Sequence, residues 1–183
     1  LFFIFYGVPL GTVFVTSQTF LGSDLEGLAG ADSICTSFAS GAGIAGMFKA
    51  WLSTNAQSAA GRFDHIERAG PWVLPGNVSD GVNPPPTVAN DLTDLITCSG
   101  GTCLQHAIDR DEDGLEVGAT GVWTGTNADG TANSENCFGW TNDGHPDELG
   151  RIGNSSSTDG TWTNSSNYDC DVGDNKWGLY CFQ

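Results

Sequence analysis

Hydrophobic and polar positions divide the chain into a greasy start, a patterned first third and a long polar tract studded with short apolar pieces. Seven of the first eight residues are large and apolar or aromatic, in Leu1-Phe2-Phe3-Ile4-Phe5-Tyr6-Gly7-Val8, without polar alternation. A strand with one wet face alternates, whereas a strand buried on both faces does not. The run is too short to cross a bilayer, and Gly7 and Pro9 stop it continuing as a helix. Three readings fit it: the remnant of a signal-peptide core, a strand completing its own sheet, or a strand inserted into a neighbouring subunit. Residues 12–20 (Thr-Val-Phe-Val-Thr-Ser-Gln-Thr-Phe) predict a β-strand. Gly22-Ser23-Asp24 turns the chain, and residues 25–40 predict a helix with Leu28, Ala31, Ile34, Cys35 and Phe38 on one face.

After a break over Gly41–Gly46, residues 47–52 predict a second short helix or turn in which Trp51 is core. Residues 70–75 form a short apolar segment between turn residues, and Pro84-Pro85-Pro86 a stiff extended connector. Residues 104–108 predict a brief strand. From Gly121 to Gln183 strand-like pieces rich in Trp alternate with loops of Gly, Asn, Asp, Ser and Thr, the mark of a small β core carrying long polar loops.

Charge narrows the partners. The 183 residues hold 22 Asp and Glu against 6 Lys and Arg, a net charge of −16. Nucleic acid and anionic membrane surfaces both need a basic face, so neither is an expected partner, while cations are natural counter-ligands. Six Cys without a Cys-x-x-Cys pair, beside only 3 His, point to disulfides rather than zinc. Disulfides in turn point to an oxidising compartment, so the expected location is secreted or cell-surface. Cys98 and Cys103 flank Ser-Gly-Gly-Thr and are expected to pair locally. No run reaches the length of a membrane-spanning helix, and no Met-initiated, positively charged leader is present, so the chain reads as a processed or partial product.

Several pieces then combine in order: Phe14-Val15-Thr16-Ser17, Ala31-Asp32 with Cys35, Lys49-Ala50-Trp51-Leu52-Ser53, Val122-Trp123-Thr124-Gly125-Thr126, Cys137-Phe138-Gly139-Trp140-Thr141 and Leu179-Tyr180-Cys181-Phe182. Over about residues 13–183 this resembles a family of bacterial secreted and lipoprotein domains of unknown function, whose fold is similar to endostatin and the C-type lectins. The resemblance implies an α+β, C-type-lectin-like domain of residues 13–183 behind a hydrophobic extension of residues 1–12. It implies a strand, two helices in the N-terminal half, a long-loop region and a small terminal antiparallel sheet. It also implies the bridges Cys35–Cys181 and Cys137–Cys170.

Among candidate sites, Asp109-x-Asp111-x-Asp113-Gly114 has the alternating carboxylates and tight-turn Gly that can wrap oxygen around Ca²⁺. The position that would carry the bidentate Glu is Thr120, and a solvated acidic turn is the competing reading. The Glu-Pro-Asn or Gln-Pro-Asp and Trp-Asn-Asp sugar motifs of calcium-dependent lectins are absent, with weak echoes in 140–143 and 145–148. Trp162 or Tyr168, if exposed, could stack on sugar rings. His65, His106 and His145 lack ligand spacing, and all six Cys have partners, so no catalytic residue is expected. Asn77, Asn154 and Asn164 open N-glycosylation sequons. Two functions fit. The first is a non-enzymatic extracellular structural subunit of a self-assembling filament or layer, with Leu1, Phe2, Phe3, Ile4, Phe5 and Tyr6 lent to the next copy. The second is a monomeric lectin-like adhesion module for glycans or proteins.

Overall fold

The computed structural model describes residues 10–63, 70–76, 84–98, 100–141 and 148–183. The proposed assembly segment Leu1–Tyr6 and the sequon at Asn77 therefore lie outside the described residues, as do His65 and His145. Everything is built around β8 (Gly178–Phe182), all five of whose residues are buried. Its lack of alternation has a direct cause: both of its faces are covered. Beside it run β1 (Gly11–Val15), antiparallel, and β5 (Gly121–Trp123), parallel. β2 (Lys49–Ala50) also pairs antiparallel with β8. Outward lie β3 (Trp72–Val73) and β4 (Thr87–Ala89) beyond β1, and β6 (Leu149–Asn154) and β7 (Ser166–Asp169) beyond β5. The fold is α+β with a mixed sheet, since β1 with β3 and β5 with β8 are parallel pairs. This corrects the expectation of an antiparallel sheet.

Successive residues of the central strands feed opposite cores. Val13, Val15, Val122, Tyr180 and Phe182 join Trp51, Phe63, Trp72 and Trp162 on one side. Phe14, Trp123, Leu179 and Cys181 join Leu25, Cys35 and Trp140 on the other. On the first side the Trp51 ring lies 5.2 Å from Trp162, 5.5 Å from Phe63 and 5.8 Å from Phe182. Each such buried aromatic contributes roughly 2–3 kcal/mol of transfer free energy. On the second side lies helix α1 (Gly27–Gly41). Its fully buried line is Ala31, Cys35 and Ala39, while Leu28, Ile34 and Phe38 pack at the margin. Small residues face the sheet because the Cys35–Cys181 disulfide holds the helix close, with 5.3 Å between the Cα atoms.

Residues 47–52 are not helical. Phe48 N and O both bond Thr36 Oγ1, and Ala50 N donates to Asp32 Oδ1, so α1 side chains cap the outer edge of β2. The second helix is instead α2 (Ala59–Phe63), followed later by α3 (Leu92–Ile96), whose N-cap Asp91 accepts from Thr93 N and Asp94 N. Arg62 on α2 is 6% exposed and donates to Ala50 O, Leu52 O and both oxygens of Asp32. One guanidinium thus ties α1, α2 and β2 together, a bidentate geometry that Lys could not reproduce.

The predicted strand 12–20 ends at Val15: Thr16 still donates its N–H to Leu179 O, but its hydroxyl accepts from Leu179 N and turns onto Gln18 O, and Phe20 rejoins by a bridge to Trp177. Residues 104–108 form no strand. Cys103 N and Leu104 N both donate to Thr158 O, and Gln105 N donates to Val88 O, so the segment is held by a loop and by a single bond to β4 rather than by a ladder of its own. Besides Cys35–Cys181, the bridges Cys98–Cys103 and Cys137–Cys170 are formed, the same three pairs named from the sequence. Residues 35 and 181 are 146 apart in sequence, a loop whose closure is worth about 4–5 kcal/mol in the chain-entropy model.

Candidate functional site

The acidic motif folds as a tight hairpin. Asp111 N donates to Leu115 O, Gly114 N donates to Asp111 O, and Arg110 bridges Glu116. The Asp111 carboxylate closes the turn, its Oδ1 accepting from Asp113 N at 3.0 Å and from Leu115 N at 2.8 Å. Glu112, 7% exposed, points to the strand β1 extension, where it accepts from Ser17 N at 3.0 Å and from the Ser17 hydroxyl. Asp109 Oδ1 lies 3.9 Å from His106 Nδ1, and Asp113 is exposed. Thr120, the position twelve of the motif, donates its N–H to Ser155 Oγ. Asp109, Asp111 and Asp113 are therefore not brought together, and among the described residues no three His, Cys, Asp or Glu gather closely enough to hold a metal.

A different surface has the opposite character. On one face of β5–β6–β7, a cleft of about 280 Å3 runs past Thr120, Gly121, Asn154, Ser166, Tyr168 and Trp177. Strand geometry assembles it. Ile152 pairs with Ser166 and Gly150 with Tyr168, so Ser166 and Tyr168 project on the same side of β7. Gly121 pairs with Asn154. Gly121 is needed because the Trp177 ring lies directly on it: a Cβ there would come within 2.7 Å of the ring. Tyr168, 38% exposed, sits 5.1 Å from Trp177 between ring centroids. The Trp177 Nε1 is buried without a partner, so packing and not a hydrogen bond holds this ring.

None of the described residues lining the cleft is ionisable at neutral pH, in a chain of net charge −16. Asn154 Oδ1 accepts from Ser156 N and Oγ. Its Nδ2, together with Ser165 Oγ, Ser166 Oγ and Tyr168 Oη, has no hydrogen-bond partner among the described residues.

Trp162 is fully buried, its ring 5.5 Å from Tyr180 and 5.2 Å from Trp51, so it is core and not an exposed stacking platform. Tyr168 is the exposed one. Asn154 and Asn164 are partly exposed, and Asn154 borders the cleft. The lectin-motif echoes at 140–143 and 145–148 fall mostly on residues outside those described. One loop-anchoring device was not legible beforehand. Asp-Gly-Thr occurs at 129–131 and 159–161, and each Asp accepts from the hydroxyl and the amide of the Thr two residues on. Those hydroxyl bonds hold the Asp129 and Asp159 carboxyls below their ordinary range.

A strained turn was also hidden. Cys137, Phe138 and Trp140 have φ of 49°, 51° and 66°, with Gly139 at 79°. Asn136 accepts from Gly139 N while Trp140 Nε1 donates to Ser53 O, and Phe138 is left 62% exposed. Left-handed backbone at three non-glycine residues is rare, and the Cys137–Cys170 bridge holds it in place. No family model matches the chain, and no curated protein matches it.

Proposed function

We propose that the protein is a non-enzymatic extracellular binding module, of the lectin-like adhesion kind, whose ligand surface is the neutral cleft on β5–β7. The observation that carries this reading is the contrast between that cleft and the rest of the polar surface. Among the described residues, a partly exposed aromatic pair and several unengaged hydroxyl and amide groups converge here on one concave surface, the usual composition of a binding site. The three disulfides fit an oxidising compartment. Asp111 and Glu112 work as turn and loop anchors, which fits a structural role for the hairpin. The test is a panel of immobilised glycans and extracellular proteins, probed with the wild type and with Tyr168→Arg. At least one interaction is expected to disappear in the variant. Retention of every interaction by a folded Tyr168→Arg protein removes the cleft from the account.

A second reading, self-assembly through residues 1–10, has its own observation. Leu10 is 53% exposed, and the ladder around β1 ends beside it. Gly11 N donates to the carbonyl of Pro71, a residue with no amide hydrogen to return, and Thr12 N is capped by the Gln183 side chain. An apolar segment joined to the body at that point would find shelter in a second copy. Sedimentation of the full chain against a chain starting at Leu10 checks this: loss of a concentration-dependent oligomer supports it, and two monomers remove it.

A further inference from the structure

We infer that the β5–β7 cleft is a metal-independent site for neutral carbohydrate, with one sugar ring stacked on the Tyr168–Trp177 pair and its hydroxyl rim met by Asn154, Ser165 and Ser166. The inference rests on the binding-module reading and is independent of self-assembly. Four observations select this ligand class over others.

First, charge excludes ionic ligands. Among the described residues, no cation lines the cleft to receive a phosphate, sulfate or carboxylate, and no carboxylate lines it to receive an amine. The net charge of −16 repels anions at longer range. Second, the floor suits a flat, weakly apolar face. The Trp177 ring is laid against Gly121, while Tyr168 leans on it at 57° and stays 38% exposed. The C–H face of a pyranose fits such a surface, as aromatic rings do. Third, the rim matches a polyol. Asn154 Nδ2 can only donate, whereas the Ser165 and Ser166 hydroxyls both donate and accept, so hydroxyls of a sugar can be answered in either sense. These groups carry no other bond within the described residues, so no protein hydrogen bond has to be broken for binding.

Fourth, size and shape point to part of a chain. At about 280 Å3 the cleft falls just short of the ~300–1,000 Å3 of sites that engulf a drug-sized ligand. An open surface of that size takes one or two rings of an oligosaccharide lying along β7, which is an edge strand of the sheet. No metal enters this picture, and the absence of the lectin sugar motifs from the sequence does not weigh against it.

The chain carries a built-in reporter. Trp51, Trp72, Trp123, Trp140 and Trp162 are all at 0% exposure, so Trp177 is the tryptophan that a soluble quencher can reach. Acrylamide quenching is therefore measured in the presence of cellohexaose, maltohexaose and an N-acetylglucosamine hexamer, with hexagalacturonate as the charged control and a chelator throughout. The expected result is saturable protection by at least one neutral oligomer, with Kd at or below about 1 mM, and none by hexagalacturonate. Tyr168→Ala should weaken that protection on the order of tenfold, while Tyr168→Phe retains it. Protection by the charged oligomer alone, by no oligomer, or undiminished in a folded Tyr168→Ala variant overturns the inference. If no sugar protects Trp177 but Tyr168→Arg abolishes a protein interaction in the panel, the ligand class is wrong and the binding-module reading stands.

Discussion

The acidic hairpin at 109–116 and the neutral cleft on β5–β7 are both polar, both surface features and both built from short loops and strand ends. They differ in where their hydrogen-bonding capacity goes. In the hairpin, Asp111 is occupied by two backbone amides and Glu112 by the amide and hydroxyl of Ser17. In the cleft, the Asn154 side-chain nitrogen and three hydroxyls have no hydrogen-bond partner among the described residues. Charge draws attention to the first region, yet unengaged groups mark a surface prepared for a ligand. The difference predicts that substitutions in the hairpin act on stability, and those in the cleft on binding.

Both regions hang on the same frame, so the largest effect should be common to them. Replacing Cys35 and Cys181 together by Ala removes the closure of a 146-residue separation and should destabilise the fold by about 4–5 kcal/mol in the chain-entropy model. Denaturant unfolding measures it, and a loss confined to one region would show that the two are not carried by one sheet.

Next in size is Glu112→Ala. It leaves Ser17 N without its carboxylate acceptor, and the expected loss is about 1.5–3 kcal/mol, as for a hydrogen bond to a charged group. Asp111→Ala should cost about 0.5–2 kcal/mol, the range of a lost capping residue. The wild type should melt at the same temperature with and without a chelator. A chelator-induced drop that Asp111→Ala abolishes would return calcium to the hairpin and undo the comparison. Tyr168→Ala, by contrast, trims a partly exposed edge-strand residue and should change stability by about 0.5 kcal/mol or less. A larger loss would mean that the aromatic pair is core in function as well as in contact.

The smallest effects concern pH. Asp129 and Asp159 titrate below the ordinary 3.8 because the hydroxyls of Thr131 and Thr161 hold their charged forms. A depressed folded-state value contributes stability above the unfolded pKa, and that contribution is lost as pH falls through the folded one. Wild type should therefore lose melting temperature more steeply below pH 3.8 than Asp159→Asn does, and parallel curves would contradict the assignment. At the other end, burial raises Tyr180 well above its ordinary 10.0, so stability should fall once pH exceeds 10 and the unfolded chain ionises.

Much of the frame was legible from residues. The disulfide partners were expected, Cys98–Cys103 from local spacing and the other two from the resemblance, and the α1 helix was visible in its apolar spacing. The rule that unalternating strands are buried on both faces applies where it can be checked, at Gly178–Phe182, in the middle of the sheet. What failed did so for tertiary reasons. Residues 47–52 look like a helix start, yet Lys49 and Ala50 are drawn into the sheet opposite Phe182 and Cys181, and Thr36 and Asp32 on α1 take the amides of Phe48 and Ala50. Ala39, a residue without a strong hydrophobic signal, is more deeply buried than Phe38 because a disulfide sets the helix distance. The cleft had almost no linear signature. Its residues come from 119–121, 152–154, 165–168 and 177, and only strand register brings them together. Tyr168 was noticed as a stacking candidate, but Trp177 and Asn154 could not be joined to it without the sheet.

The claim that function lies in the neutral cleft is tested most directly by mapping amide chemical shifts during titration with the ligand that the panel identifies. Perturbations should cluster at 119–121, 152–154, 165–168 and Trp177, and leave 109–116 unmoved. Shifts centred on the acidic hairpin, with the cleft silent, would contradict it.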